Sequence, residues 1–250
     1  IGLDGVARVL SLKPTSSGKS LDGVLLFWNF LLKQVFNNKK SILTCGVDPR
    51  LVILKGNIIK LVKDAIARKS YTKFFVLASL EDFGDEDDKD ALDEIKQYVE
   101  VGNESKLKKY LLDWKKNKGH LHIETTIFSY YKFARLMSEA GITGDFMDID
   151  EVKNTVVDED SKLAKCLFDT FTIDGKTINA PWTVRMGKDA NYVEANDKRT
   201  SNKKSVYKTG MDNPELWRCL TQNHKDYPTA TVVWNDNDCI EAGFKRRVDS

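Results

Sequence analysis

Four short stretches of this 250-residue chain carry side chains whose types and spacing suit chemistry. The first is Gly119-His-Leu-His-Ile-Glu124. On a strand, alternate residues share a face, so His120, His122 and Glu124 would stand together, close enough to share a divalent metal ion. The second, Lys13-Pro-Thr-Ser-Ser-Gly-Lys-Ser20, ends in Gly18-Lys19-Ser20, the second half of the phosphate loop G-x-x-x-x-G-K-[ST]. In such a loop, backbone N–H groups at a helix N-terminus would cradle phosphates, Lys19 would neutralise them and Ser20 would hold magnesium. Lys13 stands where that motif has its first glycine, so the stretch is read first as an ordinary loop and cap. The acid such a loop also needs has candidates only in Asp48 and Glu81-Asp82, each after an apolar run.

The third stretch, Asp148-Ile-Asp-Glu-Val-Lys153, contains the E-x-K half of a two-metal nuclease site in Glu151-Val-Lys153. Asp148 and Asp150 are better read as caps and first-turn acids of a helix. The fourth is cationic. Lys108 and Lys115, and Lys109 and Lys116, repeat at seven-residue spacing along a helix, while Lys198, Arg199, Lys203, Lys204 and Lys208 cluster around Tyr207. Such cations neutralise phosphates, and a neighbouring aromatic ring can stack on a base.

Over residues 119–124 the chain locally resembles the histidine–hydrophobic–histidine motif of rolling-circle replication nucleases. The resemblance implies a metal ion held by His120 and His122, with a tyrosine attacking a DNA phosphate. Tyr130-Tyr131-Lys132 and Tyr207-Lys208 are each one residue tighter than the Y-x-x-K setting of such a tyrosine.

The elements that must position these residues follow from hydropathy. Residues 5–12 are a short apolar run, and Leu21 to Phe36 is apolar nearly all round, as a buried helix is. Ser41 to Val47 and Lys73 to Leu80 suit buried strands. Amphipathic helices are expected over 57–69, over 106–118 behind Asn103 or Ser105, and from Thr125 or Thr126 to a closing Gly141. Asp150 to Leu167 also reads as helical. Asp174-Gly175 between two alternating runs signals a hairpin, the stretch around 187–205 reads as a polar loop, and Thr229 to Trp234 as a strand. The expected fold is α+β: mainly helical over 1–170 with a few strands, then a smaller β-containing region over 171–250 behind a soft boundary.

With 39 Lys+Arg against 37 Asp+Glu the net charge is only +2, but it is sorted: 81–94 is acidic, and 198–208 is basic without an acid. Cys45, Cys166, Cys219 and Cys239 form no C-x-x-C pair and read as reduced thiols of an intracellular protein, in cytoplasm or virion. No apolar run reaches the roughly 18 residues of a membrane span. The leading expectation is a self-associating, non-sequence-specific nucleic-acid-binding protein with a packaging role, coat- or nucleocapsid-like, needing no cofactor. One alternative is a metal-dependent nuclease or nicking enzyme using His120, His122 and Glu124. The other is an assembly protein that binds no nucleic acid.

Overall fold

The computed structural model describes residues 8–13, 19–83, 85–151, 170–173, 175–179, 182–190 and 229–233. Strands and helices alternate: β1 (Arg8–Lys13), α1 (Lys19–Phe36), β2 (Ser41–Asp48), α2 (Leu51–Ala67), β3 (Lys73–Leu77), α3 (Glu86–Ile95), β4 (Val99–Gly102), α4 (Glu104–Asn117), β5 (Gly119–Thr126), α5 (Ile127–Ala140) and β6 (Gly144–Ile149). A hairpin β7 (Thr170–Ile173) and β8 (Lys176–Asn179) follows, then β9 (Trp182–Ala190) and β10 (Thr229–Val233).

Eight strands form one sheet in the order β10-β1-β9-β6-β2-β5-β3-β4, with every described pairing parallel. The mainly helical α+β expectation is therefore overturned: the fold is α/β, with a parallel sheet between two helical layers. The sheet takes strands from both sides of residue 170.

The physical reason lies in burial. Parallel strands covered on both faces read as short apolar runs instead of clean alternation. Leu43, Cys45 and Val47 of β2 pack under α4 and α5, while Ile42, on its other face, packs under α1 and α2. The chain runs out through β1, β2, β3 and β4, then returns through β5, β6, β9 and β10. The first crossover thus passes over the places that β6 and β9 later fill, and α1 lies on both. Such a reversal of strand order leaves a crevice outside the carboxyl ends of the strands, where α/β sheets bind ligands.

Local signals hold where they are short-range. Asn103 caps α4 by accepting from the Lys106 N–H at 3.1 Å, and Gly141 ends α5 in the left-handed region at φ 59°. The expected hairpin forms around Gly175 at φ 74°. Its Ile178 packs, with Trp182, into the α5 side of the core, where the Trp182 indole donates to the Tyr130 hydroxyl at 2.8 Å. Among the described residues no helix is long and apolar enough to cross a membrane.

Candidate functional site

The α1/α2 face of the sheet is apolar at its margins and polar along its middle. On β5, His120, His122 and Glu124 do share this face, opposite Ile42, Thr44 and Gly46 of β2. Gly46 pairs with Glu124 on one side and with Asp148 of β6 on the other. Having no side chain, it leaves a slot into which the Glu124 carboxylate leans. Asp48, two residues further along β2, is buried and accepts from the Asn57 amide at 2.8 Å.

Asp148 reaches the other way, to Lys188 of β9. The ammonium lies 2.8 Å from Asp148 Oδ2 and 3.9 Å from Asp150 Oδ1. The first turns of α1 close over this pair: a Cβ at Gly23 would stand 2.5 Å from Asp148 Oδ2 and 2.9 Å from Lys188 Nζ. Only glycine allows the helix so near. Lys19 and Ser20 open the same helix, one turn ahead of Gly23.

Burial sets the protonation of this cluster. It pushes Asp48 up to about 10, helped by the Glu124 charge, so Asp48 is a neutral acid facing that carboxylate. Glu124 rises to about 7, by burial and the Asp148 charge. Burial raises Asp148 as well, against the pull of Lys188. For Lys188, burial favours the neutral amine, but Asp148 and Asp150 outweigh it and hold the ammonium above its ordinary value.

The histidines differ from expectation. His120 Nδ1 meets Thr72 Oγ1 at 2.6 Å and its Nε2 meets Thr44 Oγ1 at 3.0 Å. His122 Nδ1 meets Thr44 Oγ1 at 2.8 Å and its Nε2 meets Glu124 Oε2 at 2.6 Å. All four ring nitrogens are thus spent on protein partners, and burial drives both rings down to about 3, fixing them neutral. The Phe27 ring covers both. Among the described residues no group of three metal-ligating side chains is arranged for a metal.

A second feature lies at the carboxyl ends of β2, β3 and β5. A cavity of about 340 Å³ is lined by Arg50, Leu77, Thr126, Phe128 and Ser129 among others, with the Asp82 carboxylate as its one acid. The N-termini of α2 and α5 both open onto it, at Arg50 and Thr126; neither has a side-chain cap nor an acid in its first turn. Their N–H groups and helix dipoles favour an anion there. Phe128 is 67% exposed, an aromatic face on the rim.

The remaining candidates scatter. Lys108, Lys109, Lys115 and Lys116 lie on α4, on the opposite side of the sheet from α1. Lys108 is 3.8 Å from Glu139, and Lys115 donates to the Ala140 carbonyl at 2.6 Å. Lys198, Arg199, Lys203, Lys204, Tyr207 and Lys208 fall outside the described residues, as do Gly18 and Lys153. Asp148 lies on β6 and Asp150 just past its end, and the helix expected over 150–167 falls outside the described residues beyond Glu151. Sequence reasoning missed Lys188 altogether, because it sits in a stretch read as a polar loop. It also missed Gly23 and Gly46, whose role exists only through strands distant in sequence.

No family model matches the chain, and no curated protein matches it. Among solved structures, a nuclease-deletion mutant of the Type ISP restriction-modification enzyme LlaGI, in complex with a DNA substrate mimic, is similar at TM-score 0.52 and 12% identity. The match covers 75% of this chain and 14% of that one. The ATP-dependent Type ISP restriction-modification enzyme LlaBIII, bound to DNA, gives TM-score 0.47 and 13% identity, over 73% of this chain and 11% of that one. At this identity the LlaGI likeness establishes the fold alone. The viral coat or nucleocapsid expectation is overturned: the fold shared with that restriction-modification enzyme is a parallel α/β sheet.

Proposed function

We propose that the chain is a nucleoside-triphosphate-binding α/β domain that acts on nucleic acid. The observation carrying this reading is the approach of α1 to the end of β6, with Gly23 seated on the Asp148–Lys188 pair. Phosphates bind at a helix N-terminus that follows a parallel strand at a topological reversal. Here β1 leads to Lys19-Ser20 at the head of α1, and the acids Asp148 and Asp150 close the same crevice. Lys19 would neutralise the phosphates, the α1 amides would receive their oxygens, and Ser20 and Asp150 are the residues that would hold an accompanying divalent ion.

Nucleic acid enters through the cavity at Arg50 and Phe128. Two uncapped helix N-termini, one guanidinium and one exposed ring supply phosphate contacts and a stacking surface without base-edge readout. That the similar LlaGI enzyme is in complex with a DNA substrate mimic supports the nucleic-acid part of the reading.

The test is titration with a fluorescent ATP analogue and magnesium. Binding that weakens tenfold or more in Lys19→Ala is the expected result. Unchanged affinity in that variant, or no binding by the parent chain, overturns the reading.

A further inference from the structure

One buried feature lies outside both sites just described. The polar side chains crossing the α1/α2 face form an unbroken hydrogen-bonded line. Ser70 Oγ, half-buried ahead of β3, meets Thr72 Oγ1 at 2.7 Å. Thr72 meets His120, His120 meets Thr44, Thr44 meets His122 and His122 meets Glu124, none longer than the 3.0 Å of the His120–Thr44 bond. Ser70 and His120 stand at the amino edge of the sheet, Glu124 near its carboxyl edge. The links between them are buried: Thr44 is 0% exposed, and His122 3%.

Each link is a group that can give one proton and take another: a hydroxyl, or a neutral imidazole with one N–H and one bare nitrogen. The donors can therefore all point one way. With Glu124 ionised, the bonds run Ser70 to Thr72, Thr72 to His120 Nδ1, His120 Nε2–H to Thr44, Thr44 to His122 Nδ1, and His122 Nε2–H to Glu124. With Glu124 protonated, every bond runs in reverse, and no link is left with two donors or two acceptors.

We propose that these six side chains form a proton relay through the sheet, by which the Glu124 carboxyl exchanges its proton with solvent at the opposite edge. One proton enters at Ser70 from water, each link passes its own proton forward, and one proton arrives on Glu124. Only O–H and N–H bonds break and form, and their number rises by the single proton taken up. Both imidazoles change from Nε2–H to Nδ1–H and neither becomes a cation. That agrees with rings whose burial holds them neutral far below the usual histidine range. The groups facing Glu124 are His122 on its own strand, Asp48 of β2 with Asn57 of α2 behind it, Asp148 and Asp150 of β6 and its end, and Lys188 of β9. From α1 and β3 the apolar rings of Phe27 and Phe74 close on the imidazoles and keep water from a shortcut.

The relay does not depend on nucleotide. Nitrogen NMR of the full chain, with histidine labelled on both ring nitrogens, reads each tautomer directly. In the parent chain His120 and His122 are expected to switch tautomer together, staying neutral, as pH falls through the Glu124 titration near 7. Tautomers that stay fixed, or either ring turning imidazolium there, overturn the proposal. Thr44→Val cuts the line: His122 is expected to keep switching while His120 stops, and His120 still switching in step overturns the route. Glu124→Gln is expected to abolish the switch in both rings. If either variant fails to fold, the parent titration decides alone.

Discussion

Lys188 of β9 and Asp148 of β6 form an ion pair of 2.8 Å, 5% and 18% exposed, directly beneath the opening turns of α1. The ammonium is also the sole cation facing Asp148 and Asp150 among the described residues. Removing it leaves buried carboxylates without a counter-charge. Lys188→Met is expected to destabilise the fold by about 3–5 kcal/mol in urea unfolding. The Lys188→Met, Asp148→Asn double variant is expected to recover part of that loss, because the amide carries no charge to desolvate. Strictly additive losses would contradict the pairing.

Gly46 is required by its neighbour, not by its backbone. A Cβ there collides with the Glu124 carboxylate, which His122 holds at 2.6 Å. Gly46→Ala is expected to cost about 1–3 kcal/mol in the same unfolding measurement. Gly56, in open space on α2, is the control: Gly56→Ala is expected to stabilise by about 0.5–1 kcal/mol through helix propensity.

The buried acid Asp48 makes stability fall as pH rises. Its folded value of about 10 exceeds its unfolded value of 3.8, so the folded chain keeps a proton that the unfolded chain releases. The contribution is complete below 3.8 and is lost as pH climbs toward 10. Asp48→Asn, neutral throughout, is expected to gain on the parent by ~1.4 kcal/mol per pH unit in that window. The histidines act oppositely: lowered from 6.5 to about 3, each contributes fully above 6.5 and loses that contribution on acidification. His120→Gln is expected to lose less stability than the parent as pH falls through that range. Parallel pH profiles of parent and variant would contradict either assignment.

Arg50 and Phe128 are expected to act on nucleic acid in separable ways. Arg50→Ala should lower the slope of log K against log salt for single-stranded DNA by about 0.7, one phosphate contact. Phe128→Ala should weaken binding by about 1–3 kcal/mol with that slope unchanged, because stacking releases no counterion. Fluorescence anisotropy across a salt series measures both, and slopes unaltered by Arg50→Ala would remove Arg50 from the interface.

The sequence by itself determined what is local. Apolar runs marked β2 and β3, periodicity marked α1, α4 and α5, Asn103 and Gly141 marked helix ends, and Asp174-Gly175 marked the hairpin. Alternation put His120, His122 and Glu124 on one face, and they are there. What those residues face was decided only by the tertiary structure, because parallel strands pair across long crossovers that leave no local trace. Asp148 read as a helix cap or first-turn acid until β2 and β9 flanked it on β6. Lys188 belonged to a polar loop until β9 entered the sheet between β1 and β6. A glycine becomes a slot, and an imidazole a buried hydrogen-bonding link, only once neighbours from distant strands stand around it.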